Sequence, residues 1–361
     1  MTPHRHNLSA AFLGIAWATI VLGAGATEPS AQVVKIQKLG GGRFMSESVQ
    51  QIPVPGISKL HLIGSSNLGG TVTLTTRPVD SVRVELVKVF RVPSADMAYD
   101  WERLIACDLV LSDSILTIDL KAQSNAPWQG SEWSARAEVT VTIPPDWDIN
   151  VGARFFEFDL AGPFGAAVVD TEFGRVKLQR VTRRTSVTGS YTAIELAEVR
   201  GEISAQTSYA DLEVRGAISA AERAARLVNT SGSISVRGLA GAVDVETENA
   251  PVTLSDLVLV GSESSLRGSN APIEAEIIEF GDAQLEVRNG NAPVSLKVPR
   301  SLSARLNLVV GIGGRIHTEG LIVQTHPNQL RTGRLEGVCG SGQGLIDVDV
   351  SGFGRIDLTG R

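Results

Sequence analysis

The sequence is poor in the residues that enzymes use for metal binding and nucleophilic chemistry. Its 361 residues include five histidines and two cysteines. It contains no His-Glu-x-x-His pair, no Gly-x-Ser-x-Gly elbow, no phosphate-binding glycine loop and no Cys-x-x-Cys pair. These absences argue against metal-dependent and triad enzymes, so we expect no catalytic residue, no metal site and no cofactor.

The two cysteines, Cys107 and Cys339, leave their redox state open. An oxidising compartment would allow them to pair. They fall in different predicted modules, however, and we therefore expect two single, buried thiols.

Clusters of basic residues are also missing, and the net charge is −6 at pH 7. Nucleic acids and anionic membrane surfaces are bound through basic patches. Neither is therefore predicted as a partner.

One apolar run, at residues 10–22, follows a weakly basic start. Ala-Gly-Ala at residues 24–26 fits the small-x-small pattern of a cleavage site. We therefore predict that residues 1–26 are a secretory signal peptide. Because no second run reaches membrane length, we expect no membrane span after cleavage and an exported protein, periplasmic or extracellular.

A short turn-plus-strand repeat dominates the chain after residue 149, where no amphipathic helix recurs. Asn-Ala-Pro occurs three times at intervals of 21 residues, each time before an alternating apolar segment. The first apolar residue after each turn belongs to a longer series: Phe158, Val176, Ile194, Leu212, Ile234, Val252, Ile273, Val294 and Ile316. A period of about 20 residues with alternating strands predicts an all-β fold, a single-chain β-solenoid of about nine rungs.

The Asn-Ala-Pro turns suit the corners of such a coil. Proline fixes φ and donates no hydrogen bond, so it belongs where a strand starts. Asparagine tolerates the left-handed conformation, and stacked asparagines can bond to one another along the stack. The predicted corner residues are Asn249, Pro251, Asn270, Pro272, Asn291 and Pro293. A row of asparagines that binds a ligand is the alternative; earlier turns carry Phe173, Tyr191 and Tyr209 instead.

Residues 27–148 differ from the repeat and form a predicted N-terminal β-rich cap module. Strands are predicted at residues 58–63, 71–76, 82–92, 115–121 and 136–143. A short helix within residues 94–106 is predicted to be capped by Ser94. The solenoid repeats follow at residues 149–320, and residues 321–361 are expected to close the far end. Residues 345–350 and 355–358 are predicted to form a hairpin there.

From about residue 55 to residue 320, the chain resembles a family of exported bacterial adhesin-like β-solenoid domains of unknown function. The strand at residues 137–143, the Pro-Pro-Asp-Trp-Asp turn at residues 144–148 and units such as residues 171–178 carry the resemblance. The resemblance implies a β-solenoid and supplies no catalytic residue. The chain departs from the family pattern where alanine or tyrosine replaces the turn glycine.

Trp128 and Trp133 are the candidate ligand-binding residues. They lie in the polar loop at residues 123–134, where exposed rings would stack on sugars. The alternative is that these rings pack a cap against the first rung.

Two acid pairs offer the best enzymatic candidates, Glu274 with Glu276 and Asp347 with Asp349. Side chains two residues apart on one strand face have a separation of about 7 Å, which carboxylate pairs in glycosidases also have. Alternating acids on a solvated strand also block edge pairing, which is the structural explanation.

Taken together, these patterns predict an exported, non-enzymatic, adhesin-like protein that binds or scaffolds the cell envelope. Its partner would be an envelope polysaccharide or protein, and its oligomeric state is open. The alternatives are a polysaccharide-active β-helix enzyme using one of the acid pairs, and a self-assembling structural rod. The strand-like residues 354–358 near the C-terminus motivate the rod.

Overall fold

The structure, a computed structural model, describes residues 35–325, 330–331 and 333–361. The predicted signal peptide at residues 1–26 lies outside these residues. Over the described residues the fold is all-β, with 27 strands and one short helix. No helix within the described residues is long and apolar enough to cross a membrane.

Nine strands and the helix precede the repeats. They are β1 (Gln37–Gly40), β2 (Arg43–Pro53), β3 (Lys59–Gly64), β4 (Gly69–Thr76), β5 (Ser81–Arg91), α1 (Ala95–Glu102), β6 (Ile105–Ser112), β7 (Ile115–Ala122), β8 (Ser134–Ile143) and β9 (Asp148–Arg154). The five predicted strands are confirmed as β3, β4, β5, β7 and β8, whereas β1, β2, β6 and β9 were not predicted.

The predicted helix is confirmed but is shorter than expected. Ser94 caps α1, and its hydroxyl accepts a hydrogen bond from the Met97 N–H at 3.2 Å. The helix ends at Glu102 because Ile105 already begins β6, which pairs antiparallel with β7.

Three long strands open the repeat region: β10 (Phe156–Glu172), β11 (Arg175–Ser190) and β12 (Ala193–Thr207). Shorter strands follow, β13 (Leu212–Ser219), β14 (Ala225–Asn229), β15 (Ile234–Ala240), β16 (Val243–Thr247), β17 (Val252–Leu259), β18 (Glu263–Gly268), β19 (Ile273–Phe280), β20 (Gln284–Asn289) and β21 (Val294–Val298). The last are β22 (Ala304–Val310), β23 (Arg315–Glu319), β24 (Leu330–Arg331), β25 (Arg334–Cys339), β26 (Gly344–Val350) and β27 (Arg355–Gly360).

The strands pair into two long ladders, which are mainly parallel. The first ladder has the order β1, β2, β5, β8, β4, β10, β11, β12, β13, β15, β17, β19, β21, β27, β23. The second has the order β6, β7, β3, β9, β10, β11, β12, β14, β16, β18, β20, β26, β22, β25, β24. The long strands β10, β11 and β12 bend and contribute to both ladders.

Alternation along each strand builds the core. In β11, Val176 and Leu178 are fully buried, while Lys177 between them is partly exposed. The inward residues of both ladders form one hydrophobic cluster. Each buried aliphatic side chain contributes about 2 kcal/mol, so stability is shared among many similar layers.

The predicted repeat series is confirmed over most of its length. Phe158 pairs with Val176, and the same register continues through each predicted residue as far as Val294. The last step is wrong, because Ile356 lies between Val294 and Ile316.

The predicted C-terminal hairpin is also wrong. Strand β26 inserts in parallel between β20 and β22, and β27 inserts in parallel between β21 and β23. Two neighbours satisfy the backbone groups on both edges of each strand, whereas a hairpin would satisfy one edge. Because residues 354–358 lie mostly in this internal strand, they do not offer the open end that motivated the self-assembling rod.

Candidate functional site

Four aromatic side chains form an exposed stack at one corner, where the chain passes from the second ladder to the first. Phe155, Phe173, Tyr191 and Tyr209 are 48%, 45%, 52% and 60% exposed. Successive ring centroids are 5.2, 5.2 and 4.9 Å apart, with interplanar angles of 10°, 10° and 14°. We call these residues the aromatic stack.

Tight corners position these rings. Phe155 alone separates β9 from β10, and Phe173 with Gly174 separates β10 from β11. The Phe173 N–H donates to the carbonyl of Ser190 at 3.0 Å, and the Tyr191 N–H donates to that of Ser208 at 2.9 Å. Each ring is thereby held one strand spacing from the next, which is close to the thickness of a stacked aromatic ring.

All four ring-bearing residues have a left-handed backbone, with φ between 53° and 62°. This conformation is rare for bulky residues and costs about 1–2 kcal/mol for each. Glycine would adopt it freely. Stacking returns about 0.5–1.5 kcal/mol per ring pair, so the rings bring little net stability to the corner.

The same corner continues past the aromatic stack. Leu212 pairs with Ile234, a shift of 22 residues, and this places Ser231 at the equivalent position one level beyond Tyr209. The later registers place three more residues at successive levels: Asn249, Asn270 and Asn291. We call the whole row, from Phe155 to Asn291, the corner ridge.

The three asparagines of the ridge are hydrogen-bonded to one another, as the sequence predicts for stacked corners. Asn270 Nδ2 donates to Asn249 Oδ1 at 3.1 Å, and Asn291 Nδ2 donates to Asn270 Oδ1 at 3.3 Å. The amides therefore all point the same way along the stack. The corner role of Pro251, Pro272 and Pro293 stays a prediction.

Buried polar side chains support the ridge from below. The Thr171 hydroxyl donates to the Ala153 carbonyl at 2.7 Å, and the Thr207 hydroxyl donates to the Thr192 carbonyl at 2.7 Å. Asn229 is fully buried, and its Nδ2 donates to the Ala210 carbonyl at 2.8 Å. These contacts satisfy carbonyl groups that the turning backbone would otherwise bury without a partner.

Charged groups flank the ridge at two places. The Arg154 guanidinium lies 5.9 Å from the centroid of the Phe155 ring and also pairs with Glu172. The Asp211 carboxylate accepts hydrogen bonds from the Ser233 hydroxyl at 2.6 Å and from the Ser233 N–H at 2.9 Å. These bonds hold the pKa of Asp211 below its usual range, so the carboxylate stays ionised at neutral pH.

The predicted binding residues lie elsewhere. Trp128 is 9% exposed, packs on Trp101 with ring centroids 5.4 Å apart, and donates from Nε1 to the Asn67 carbonyl at 2.8 Å. Trp133 is partly buried against the core. The structure does not bring either ring to the aromatic stack, and sugar binding at these two residues stays a prediction.

Each predicted acid pair has one member in an ion pair. Glu276 pairs with Arg361. Asp347 accepts from Arg288 Nη2 at 2.5 Å and from Asn307 Nδ2 at 2.6 Å, beside a shallow depression of about 450 Å³. In each pair an arginine therefore engages one of the two carboxylates, as in a structural ion pair.

Among the described residues, no group of three or more His, Cys, Asp or Glu side chains is arranged to hold a metal ion. Cys107 and Cys339 are both free thiols. Burial raises the pKa of Cys107 to about 11, which makes its thiol a weak nucleophile.

The sequence contained a signal for the aromatic stack that the prediction did not use. Phe155, Phe173, Tyr191 and Tyr209 recur at intervals of 18 residues. Phe173, Tyr191 and Tyr209 were predicted only as turn residues. Alternation identifies strands, and it gives no information about side chains in the turns between them. An exposed ring at a fixed interval in a parallel stack implies a row of rings.

Comparison with known proteins gives matches in solved structures only; no family model and no curated protein sequence matches the chain. A "putative cell adhesion protein" from Clostridium sporogenes is 9% identical, with a TM-score of 0.21, over 88% of this chain and 100% of that one. A "putative adhesin" from Parabacteroides merdae is 9% identical, with a TM-score of 0.27, over 86% and 95%. Another from Bacteroides fragilis is 11% identical, with a TM-score of 0.27, over 86% and 96%.

The chain is thus similar to adhesin-like proteins of unknown function, as the resemblance in its sequence predicted. At TM-scores this low, the likeness carries no argument about what the chain does.

Proposed function

We propose that this protein is an exported, non-enzymatic, adhesin-like binding protein of the cell envelope, and that the aromatic stack is its contact surface. The observation that carries the proposal is the row of four exposed, parallel rings on left-handed backbone positions. Exposed apolar patches mark interaction sites, and aromatic rings supply a large contact area there. An envelope polysaccharide, whose sugar units repeat, would match a row of rings.

The proposed architecture is a β-solenoid whose rungs each contribute a strand to both ladders. In this interpretation residues 27–148 form the N-terminal cap module, residues 149–320 the repeats and residues 321–361 the closing segment, after removal of residues 1–26. Antiparallel strands β1, β2, β5 and β6 protect the N-terminal edges of the two ladders, as a cap would.

Strain alone does not single out the aromatic stack, because the opposite corner of each rung uses the same backbone. Arg180, Glu198, Gly216, Gly238 and Asp256 occupy successive levels there, with φ between 55° and 71°. No ring occupies those positions. Left-handed corners therefore belong to the architecture, while the exposed rings need a separate explanation, which ligand binding provides.

The test compares retention of the purified protein and of Tyr191→Gly/Tyr209→Gly on isolated envelope polysaccharide and on envelope protein. Glycine removes two rings and suits the left-handed backbone, so the variant should fold. We expect about tenfold weaker retention, since two stacked ring contacts are lost. Equal retention of the two proteins would refute the aromatic stack as the contact surface, and no retention of either would refute the function.

A further inference from the structure

The corner ridge has a gap immediately after the aromatic stack. At the level that follows Tyr209, the ridge residue is Ser231, which is exposed and too small to fill the height of a ring. The face of Tyr209 that does not contact Tyr191 is turned toward this level. Tyr209 is also the most exposed of the four rings, at 60%. We call this space the Ser231 gap.

The far wall of the Ser231 gap is an amide with a free donor. Asn249 lies one level beyond Ser231. Its Oδ1 accepts from Asn270, and within the described part of the chain its Nδ2 donates to nothing. Because the asparagine amides are polarised in one direction by their hydrogen bonds, the unpaired donor stands at the end of the row nearest Tyr209.

The dimensions of the gap fit one ring. Neighbouring levels are separated by about 4.8 Å, so Tyr209 and Asn249 are about 9.6 Å apart along the stack. A flat ring midway between them would contact Tyr209 at the spacing that Tyr209 already has with Tyr191, which is 4.9 Å. The Ser231 hydroxyl would lie at the bottom of the gap, beneath the edge of that ring.

The chemistry of the two walls distinguishes between possible rings. An aromatic side chain stacks best between two aromatic faces, whereas one wall here is polar. A pyranose ring with equatorial hydroxyls has apolar C–H faces, one of which covers Tyr209. Its oxygen atoms project around its rim, where an amide N–H at the other wall can donate to one of them. The nearby acids Asp211 and Glu248 disfavour a negatively charged sugar.

We infer that the Ser231 gap is a subsite for a single neutral, gluco-configured pyranose ring. The ring stacks on Tyr209, accepts a hydrogen bond from Asn249 Nδ2, and meets the Ser231 hydroxyl. This inference rests on the proposed function, because it specifies which polysaccharide unit the corner ridge recognises.

The test is a titration of the purified protein with a neutral glucan tetrasaccharide and with methyl β-glucopyranoside, followed by amide chemical shifts. Saturable shifts are expected at Tyr209, Ser231 and Asn249. Ser231→Tyr would fill the gap with a fifth ring, at a position without a left-handed backbone, and should weaken binding by about tenfold or more. Ala221→Tyr, which adds the same ring to an exposed turn off the ridge, should leave binding unchanged.

A second variant separates recognition from folding. Asn249→Asp keeps an oxygen to accept from Asn270 but removes the donor, and should weaken neutral-sugar binding while the amide spectrum of the other residues is retained. The glucuronide corresponding to the methyl glucoside should bind more weakly than the neutral sugar.

The outcomes separate this inference from the proposed function. The subsite would be overturned, and the function left intact, by either of two results. One is sugar binding that survives both Ser231→Tyr and Asn249→Asp. The other is a protein that binds no sugar but is still retained on envelope material. Sugar binding at the gap by a protein that no envelope material retains would leave the subsite and overturn the function. Equal binding of the glucuronide would overturn the assignment to neutral sugars.

Discussion

The corner ridge has two halves, the aromatic half from Phe155 to Tyr209 and the asparagine half from Asn249 to Asn291. Both turn the chain from the second ladder to the first, but with different backbone conformations. In the aromatic half the corners at Phe155, Phe173 and Tyr191 have only one or two residues and the corner at Tyr209 has four, and each ring-bearing residue has φ between 53° and 62°. In the asparagine half four residues separate β16 from β17 and β18 from β19, each corner ends in proline, and none of the asparagines has a positive φ. Both halves nevertheless stack their side chains at the spacing of neighbouring strands.

The difference shows what each half contributes. Asparagine rows satisfy their own hydrogen-bonding groups, and proline restricts the backbone in advance, so the asparagine half stabilises the stack. The aromatic half keeps bulky rings at strained, solvent-exposed positions where glycine would relieve the strain. We therefore propose that the asparagine half maintains the shape of the stack and that the aromatic half binds the ligand.

The junction between the halves should be the most sensitive position. Asn229 is fully buried; its Nδ2 donates to the carbonyls of Ala210 and Ser233, and its Oδ1 accepts from the Gly232 N–H. Asn229→Ala leaves these groups buried without partners, and we expect a loss of about 3 kcal/mol in the free energy of unfolding. Urea denaturation measures it.

The control for this variant is Thr171→Val, which removes one buried hydrogen bond within the aromatic half. It should cost about 1 kcal/mol. Equal costs for the two substitutions would mean that the junction is no different from the rest of the ridge.

A β-branched residue should distinguish the two backbones directly. Valine in a left-handed conformation is strained, so Tyr191→Val should destabilise the protein by about 1–2 kcal/mol more than Tyr191→Gly. Asn249→Val, on a backbone without positive φ, should cost only about 0.5–1 kcal/mol through its lost hydrogen bond to Asn270. Thermal unfolding of the three variants tests this ordering, and a reversed ordering would contradict the assigned strain.

The smallest expected effect concerns pH. The pKa of Asp211 is lowered by hydrogen bonds from Ser233. These bonds join the turn before β13 to the turn before β15. A lowered pKa contributes stability above the unfolded value of 3.8, and this is lost as pH falls through the folded value. Because the carboxylate is exposed, the contribution is below about 1 kcal/mol.

Acid unfolding curves between neutral pH and about pH 2 measure this contribution. Asp211→Asn should show a smaller loss of stability with acid than the unchanged protein. Identical pH dependence of the two proteins would show that the ionised Asp211 carboxylate does not stabilise the junction between the two halves.

Much of the fold could be predicted from the sequence, because alternation and period are local signals. The series from Phe158 to Val294 follows from counting, and the pairing of Asn249 with Asn270 follows from their spacing. The insertion of β27 between β21 and β23 could not be predicted in this way. Its neighbours are distant in sequence, and its alternation fits an internal strand as well as a hairpin.

The candidate site was harder to predict than the fold. Trp128 was predicted to bind a ligand because of its residue type and its polar loop. The ring is, however, 9% exposed and packs on Trp101. The aromatic stack depends on residues 18 positions apart meeting in space, which only the register of the ladders establishes. Exposure is a property of the folded chain, and residue type alone does not determine it.

The assignment of binding to the aromatic stack is tested most directly by a matched pair of variants on one envelope preparation. Tyr191→Gly/Tyr209→Gly and Arg180→Gly/Glu198→Gly each replace two left-handed, exposed residues, one within or just after β11 and one within or just after β12. The second pair leaves the net charge unchanged. We predict that the first variant loses about tenfold in affinity while the second binds like the unchanged protein. Equal affinities for the two variants would contradict the assignment.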